Sequence, residues 1–119
     1  MPRNISFAMT TKQIEAQTKD VTRRFGWAFL KAGDRLTGVK KAMGLKKGEK
    51  IERLCDIEVV SVRMEPLNSI TQEDVIREGF PDWTPQDFID FLVSHYKCAP
   101  DKMVNRIEFR YLSLNKCEE

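Results

Sequence analysis

The sequence predicts an α+β fold, a small mixed or antiparallel β-barrel decorated by helices. Apolar residues in the 119-residue chain follow strand periodicity more often than helix periodicity, in the order β-α-β-β-β-α-α-β. Hairpin-type connections dominate, which favours antiparallel pairing over a doubly wound sheet. With 41% hydrophobic and 32% charged residues, the chain has enough apolar material for one core. We therefore expect a single domain over residues 1–119.

The first half of the chain predicts three strands and one short helix. Apolar residues at every second position indicate a strand at about 4–9. Thr10 is predicted as the N-cap of a short helix, with Gln13 three residues later. β-branched residues within 18–24 indicate a short extended segment. A turn signal then precedes a strand over about 34–41.

Two further strands are predicted in the second half. The stronger one covers about 56–64 and ends at Pro66. Its alternation changes phase at Val59-Val60, which predicts a bulge or burial on both faces. The closing strand covers about 105–112, where apolar and charged residues alternate.

Two capped helices are predicted between these strands. Thr71 is the N-cap of the first, with Asp74 at the capping-box position, and Gly79 ends it. Thr84 and Pro85 begin the second helix, because proline favours the first helical position. Its predicted core stripe consists of Phe88, Phe91, Leu92 and Tyr96.

Charge is distributed unevenly along the chain, although its net value is only +2. Residues 1–53 hold 13 Lys and Arg against 5 Asp and Glu, and residues 54–119 hold 7 against 13. This asymmetry predicts either a surface that faces a polyanion or two halves that attract each other. The basic segment 40–53 is interpreted as a solvated connection or as a rim that contacts phosphates through Lys40, Lys46 and Lys47.

Membrane insertion and secretion are not expected. The longest apolar run has six residues, whereas a spanning helix needs about 20. The three cysteines have no metal-ligand spacing, and an odd number argues against a secreted disulfide framework. His95 and Cys98 stand three apart but lack a second pair to complete a zinc site. We expect a cytoplasmic protein without a metal or another cofactor.

A basic cluster at residues 19–24 is the first candidate for chemistry. A threonine hydroxyl such as that of Thr22 is a poor nucleophile unless a base takes its proton. Lys19 can do so once burial or adjacent cations lower its pKa, and Arg23 and Arg24 supply those cations. The two arginines are also candidates to hold a phosphate or an oxyanion. The alternative is an ordinary basic strand edge.

Three more residues are candidates for a site. Glu78 stands at a helix end, where its charge opposes the helix dipole, so it is either a site residue or a surface glutamate. Trp27 and Trp83 lie in irregular segments. Exposed aromatic rings beside cations can stack on nucleobases, and core packing is the alternative for both.

Taken together, these stretches resemble the ASCH domain over about residues 4–112. The resemblance implies a PUA-like fold, a β-barrel whose helices border a cleft, and a role with RNA. The motifs that carry it are Ile5-Ser6-Phe7, Thr18-Lys19-Asp20-Val21-Thr22-Arg23-Arg24, Leu30-Lys31-Ala32-Gly33-Asp34, Ile57-Glu58-Val59-Val60-Ser61-Val62, Ile70-Thr71 through Glu78-Gly79-Phe80, and Ile107-Glu108-Phe109.

A small bacterial branch of that family, the 4-acetylcytidine amidohydrolases, is similar to this chain in size. By motif position, the resemblance implies that Lys19, Thr22 and Glu78 are catalytic and that Arg24 contacts the substrate. The chain departs from that branch by its insertion at 40–50 and by a longer helical region at 80–99.

Three functions remain open from the sequence. The first is hydrolysis of an acylated nucleoside amide such as 4-acetylcytidine. The second is a metal-independent ribonuclease, and the third is a non-catalytic RNA-binding module. The expected partner is therefore RNA or a modified nucleoside.

Overall fold

The computed structural model describes residues 3–40 and 53–112 of the chain, with five strands and three α-helices. The α-helices are α1 (Thr11–Glu15), α2 (Gln72–Arg77) and α3 (Pro85–Tyr96), with 3-10 turns at Ala8–Thr10 and Leu67–Ser69. The strands are β1 (Arg3–Ser6), β2 (Val21–Arg24), β3 (Arg35–Val39), β4 (Arg53–Pro66) and β5 (Met103–Tyr111). The elements follow the order predicted from the sequence. Within the described ranges, no helix is long and apolar enough to cross a membrane.

The strands form one mixed sheet in the order β1-β3-β4-β5-β2. β1 pairs with β3 in parallel, and the other pairs are antiparallel. The long strand β4 pairs with β3 on one side and β5 on the other, and the sheet curls into a half-barrel. This is the predicted α+β, PUA-like barrel with flanking helices. β2 lies at an edge, so one side of this strand is open to other elements.

The predicted irregularity in β4 is a β-bulge. Its register with β5 shifts between Val59 and Ser61. Val59 is 1% exposed in the core, whereas Val60 is 42% exposed. The extra residue therefore accounts for the change of phase in the hydrophobic pattern.

The predicted caps hold for α2 and α3. Thr71 Oγ1 accepts from the backbone N–H of Asp74, and Thr84 forms a complete capping box with Asp87. Gly79, just after α2, has φ of 103°, a conformation that favours glycine.

Thr10 occupies its predicted N-cap position. Thr10 precedes α1 but makes no side-chain cap hydrogen bond, because the chain folds into a 3-10 turn at Ala8–Thr10. The Thr11 hydroxyl bonds to the carbonyl of Phe7 at 2.9 Å. This turn also ends the first strand at Ser6, earlier than predicted.

Two apolar clusters pack on opposite faces of β5. Ile107 and Phe109 belong to the first cluster, and Val104 belongs to the second. Since strand side chains alternate between faces, these clusters lie on different sides of the sheet. The second cluster also contains Val75 of α2 and Phe88 of α3. Helices α2 and α3 are thereby held on one face, with the end of α2 beside β2, whereas Ile14 of α1 belongs to the first cluster.

Candidate active-site cleft

Residues at the start of β2 meet the end of α2. The backbone N–H of Asp20 donates to the carbonyl of Arg77 at 2.9 Å, which joins the two segments directly. Lys19 immediately precedes this contact, and Glu78 is the C-cap residue of α2. The docking therefore brings together two side chains that lie 59 residues apart in the sequence.

Lys19 and Glu78 form a buried ion pair. The Lys19 Nζ lies 2.5 Å from Glu78 Oε1 and 3.1 Å from the Glu78 backbone carbonyl, and both side chains are 3% exposed. Burial lowers the pKa of Lys19 below its ordinary value, and the charges of Arg24 and Arg23 act in the same direction, although Glu78 opposes them. A lysine in this setting loses its proton more readily than a lysine in water.

Arg23 binds the carboxylate oxygen of Glu78 that Lys19 does not contact. Its Nη1 lies 3.1 Å from Glu78 Oε2, and its Nη2 lies 2.6 Å from Asp74 and 2.7 Å from Glu65. Although Arg23 borders the cleft, its side chain is 0% exposed. Carboxylates of the protein occupy its two terminal nitrogens, whereas its buried Nε has no hydrogen-bond partner among the described residues. Contact of Arg23 with substrate stays a prediction.

Asp74 connects Arg23 to a second buried arginine. Arg106 binds the Asp74 carboxylate through two hydrogen bonds, of 2.7 and 3.1 Å. Although burial opposes the charged form, the bonds from Arg106 and Arg23 hold the pKa of Asp74 well below its usual range. The sequence placed Asp74 at a capping-box position, but its carboxylate binds the two arginines.

Thr22 is held by Arg24 on the same strand. Arg24 Nε donates to Thr22 Oγ1 at 3.0 Å, and Arg24 Nη2 donates to the Ser6 carbonyl at 2.5 Å. The guanidinium carbon also lies 5.0 Å from the centre of the Phe7 ring. Between the described side chains of Lys19 and Thr22 there is no direct hydrogen bond. The lysine binds Glu78 instead, which departs from the expected contact.

A cavity of about 280 Å³ opens at this point. The predicted residues Lys19, Thr22, Arg24 and Glu78 all border it. Its polar part is thus formed by β2 and the end of α2. The apolar part is formed mostly by α3 and the segment before it, with Phe80, Phe88, Phe91, Leu92, His95 and Tyr96.

Gly79 allows the close approach on which this cavity depends. A Cβ atom at this position would lie 2.6 Å from Cγ of Gln13 on α1. The Gln13 side-chain amide in turn bonds to the Gly79 carbonyl at 3.3 Å. α1 therefore packs against the turn that carries Glu78.

The other predicted contact residues lie elsewhere. Trp27 packs against the first apolar cluster and against Phe29, at 5.6 Å between ring centres, and does not border the cleft. Its prediction as a substrate contact is therefore not supported, and the core-packing alternative fits. Lys40 is exposed at the end of β3 and also does not border the cleft. Lys46 and Lys47 lie outside the described residues.

Sequence reasoning missed the aromatic residues of the cleft. The sequence analysis considers His95 only as half of an incomplete zinc pair and assigns Phe91 and Tyr96 to a core stripe. The available signal was the helical spacing, because His95 follows Phe91 by four residues and lies on the same face of α3. In the described ranges, no three His, Cys, Asp or Glu side chains are grouped as a metal ion would require.

Comparison with known proteins identifies the fold. No protein-family model and no curated protein sequence matches the chain. The crystal structure of an ASCH domain from Lactobacillus crispatus JV V101 is similar, with a TM-score of 0.68 at 13% identity, covering 92% of this chain and 78% of that one. A crystal structure from Enterococcus faecalis V583, of the family DUF984, has a TM-score of 0.65 at 16% identity, covering 94% and 77%. The chain therefore has an ASCH-like fold, as its sequence predicted.

Proposed function

We propose that this protein hydrolyses the amide bond of an acylated nucleoside such as 4-acetylcytidine. The observation that carries the proposal is the buried pair of Lys19 and Glu78, at 2.5 Å, beside Thr22 in one cleft. Amide hydrolysis needs a nucleophile, a base and a proton donor for the departing nitrogen. These three residues supply them.

Lys19 is the base in this proposal. In its neutral form it accepts the proton of the Thr22 hydroxyl while Thr22 Oγ1 bonds to the amide carbon. Burial favours the neutral amine, since it lowers the pKa of Lys19. The proton passes between Lys19 Nζ and Thr22 Oγ1 either directly, after the lysine turns from Glu78, or through one water molecule.

Glu78 carries the proton onward. It takes the proton from Lys19, 2.5 Å away, and delivers it to the nitrogen of the substrate as the C–N bond breaks. The free amine leaves, and the acyl group remains as an ester of Thr22. A water molecule then hydrolyses this ester, which releases the carboxylic acid and restores the hydroxyl.

Arg24 stabilises the oxyanion that forms on the amide carbonyl. Its Nε is already 3.0 Å from Thr22 Oγ1, so its charge lies beside the atom that attacks. Its contacts with Ser6 and Phe7 hold the guanidinium in place before substrate arrives.

The direct test is incubation of the purified protein with 4-acetylcytidine, with release of cytidine and acetate as the readout. Lys19→Ala, Thr22→Ala and Glu78→Ala should each abolish release, and double variants should be little worse than single ones. Lys12→Ala and Glu15→Ala, exposed residues of α1, are the matched controls and should keep full activity. Full turnover by Thr22→Ala alone would instead indicate a water nucleophile.

A parallel assay with labelled RNA separates this function from the other two. The rate of turnover of a free nucleoside should depend little on salt concentration. The affinity of a protein that binds the RNA backbone should fall steeply with salt concentration, because binding releases counterions. Cleavage of RNA without release of acetate would favour the ribonuclease. Salt-dependent binding without either reaction would favour the binding module.

A further inference from the structure

We propose that four rings in the cleft form a binding surface for one flat aromatic ring of the ligand. We call this surface the aromatic wall and define it as Phe80, Phe91, His95 and Tyr96. It would make the site select amides whose nitrogen is attached to an aromatic heterocycle over amides of aliphatic amines. The inference rests on the proposed function for the reaction, but it concerns residues that take no part in bond breaking.

Along α3, the exposed rings of the aromatic wall follow the residues that are buried in the core. Phe88 and Leu92 are 3% and 6% exposed and close the second apolar cluster. One turn further, His95 is exposed and Tyr96 is 42% exposed, yet both border the cavity. Burial in the protein's own core therefore does not explain His95 and Tyr96, which are open to a ligand, whereas Phe80 and Phe91 also pack against the second apolar cluster.

Trp83 holds two of the rings from behind. It stacks on Phe80 with 4.2 Å between ring centres and 17° between planes. It also meets Phe91 edge-on at 5.3 Å. Since Trp83 itself does not border the cavity, it acts as a support, and part of the wall is formed before a ligand binds.

The remaining two rings form a corner. His95 lies nearly parallel to Phe91, at 19° between planes and 6.1 Å between centres. The ring of Tyr96 stands at 88° to that of His95, with 4.7 Å between ring centres. Phe25, which directly follows β2, contacts the Tyr96 ring at 5.1 Å between ring centres. A flat ring placed in this corner can stack on one face and meet the other ring edge-on, which are the favoured aromatic geometries.

The size of the cavity suits one flat ring with its substituent. A volume of about 280 Å³ lies near the lower end of the range for small-ligand sites. The polar groups Thr22, Lys19 and Glu78 border the same cavity. A ligand whose ring lies on the wall can therefore present an acyl group attached to that ring to these residues.

Binding measured without turnover tests the wall separately from the reaction. Titration calorimetry of cytidine into the protein uses the nucleoside without its acyl group, and titration of 4-acetylcytidine into Thr22→Ala uses the intact amide. We expect both to bind. His95→Leu and Tyr96→Leu should each weaken binding about tenfold, because stacking on an aromatic side chain contributes substantially to base binding. Tyr96→Phe, which keeps the ring, should restore most of the affinity.

A matched control and a kinetic comparison complete the test. Phe29→Leu removes a ring that is 53% exposed and does not border the cleft, so it should bind like the unaltered protein. With the unaltered protein, kcat/KM should be higher for 4-acetylcytidine than for N-acetylbutylamine, in part because the aromatic amine is the better leaving group. Tyr96→Leu should narrow that ratio about tenfold, and only this change measures the wall. Thermal unfolding of each variant verifies that it is folded.

The outcomes separate the two proposals. The proposed aromatic wall would be overturned if cytidine does not bind, even if 4-acetylcytidine is hydrolysed. It would also be overturned if the folded His95→Leu and Tyr96→Leu variants bind cytidine as tightly as the unaltered protein does. Binding that depends on the wall, without any release of acetate, would support the wall and overturn the proposed hydrolysis.

Discussion

Arg23 and Asp74 form a buried ion pair, with 2.6 Å between Nη2 and Oδ2, that ties the edge strand β2 to helix α2. The strand carries Thr22, and Glu78 is the C-cap residue of the helix. Arg23 also binds Glu78 directly, at 3.1 Å. The same guanidinium thus holds the helix in place and orients one carboxylate of the cleft, so stability and the geometry of the site depend on shared contacts.

Removing Asp74 should strongly destabilise the protein. Asp74→Ala leaves Arg106 with Glu108, at 3.7 Å, and removes one of three carboxylates from Arg23, and loss of one partner from a buried ion pair costs about 3–5 kcal/mol. Chemical denaturation measures the free energy of unfolding. Asp90→Ala, an exposed aspartate on α3, is the control and should change it little. A loss below about 1 kcal/mol for Asp74→Ala would contradict this account.

Acid should weaken the protein through the same carboxylate. Because the pKa of Asp74 is lowered in the folded state, the unfolded chain binds more protons at acid pH. The stabilisation is therefore complete above the unfolded value of about 3.9 and is lost as pH falls through the lower folded pKa. The free energy of unfolding, measured with urea between about pH 2 and 6, should therefore fall as the pH is lowered. In Asp74→Asn this fall should be smaller. An identical pH dependence in that variant would refute the assignment.

Activity on 4-acetylcytidine should rise with pH through the ionisation of Lys19. The proposed reaction needs the neutral amine, and burial lowers the pKa of Lys19 below its ordinary value of 10.5. The ascending limb of kcat/KM should therefore have its midpoint below that value. Thr22→Ser, which keeps a hydroxyl, should retain the same midpoint. A limb that follows the pKa of a free lysine would exclude Lys19 as the base.

The charge of Glu78 should hold the pKa of Lys19 higher than burial alone would leave it. In Glu78→Gln this attraction is lost, so the pKa of Lys19 should fall further. Nitrogen NMR of the lysine side chains measures this change without requiring turnover. A rise in the pKa of Lys19 in this variant would contradict the ion pair described above.

Gly79→Ala should destabilise the protein more than Gly33→Ala. Both glycines have positive φ, of 103° and 95°, so both substitutions cost about 1–2 kcal/mol of backbone strain. At Gly33 the new methyl group meets no atom within 4 Å, whereas at Gly79 it meets Gln13 at 2.6 and 2.9 Å. Denaturation should show an additional loss of about 1 kcal/mol or more at Gly79. Equal losses would mean that Gln13 moves aside without cost.

The basic segment 40–53 should contact nucleic-acid backbone if the partner is RNA. It holds six Lys and Arg in fourteen residues. Lys46→Glu combined with Lys47→Glu should weaken RNA binding and reduce the slope of affinity against salt concentration. Lys12→Glu combined with Lys31→Glu, both exposed, provides the same change in net charge elsewhere on the chain. Equal effects of the two pairs would indicate only a general effect of charge.

Local signals in the sequence were sufficient to predict the order of the elements. The caps at Thr71 and Thr84 and the phase change at Val59 each depend on residues within a few positions of one another. Short-range backbone geometry therefore determines them. Thr10 also stands at its predicted N-cap position, but its side chain makes no cap hydrogen bond after the 3-10 turn at Ala8–Thr10.

The candidate site was predictable only in part. The sequence identified Lys19, Thr22 and Glu78 through their chemistry and through the resemblance to a family. Residue types and spacing could not reveal that Lys19 bonds to Glu78 rather than to Thr22. Nor could they reveal that Arg23 is enclosed by carboxylates from three other positions.

The sequence by itself thus determined the strands, helices and caps, and the chemical groups available for a site. Only the tertiary structure decided which of those groups meet. Lys19 and Glu78 are separated by 59 residues, and their contact exists because α2 docks beside the edge strand β2. His95 borders the cleft, and Trp27 packs against the core, for the same physical reason. The environment of a side chain depends on how distant elements pack, and local periodicity does not encode that packing.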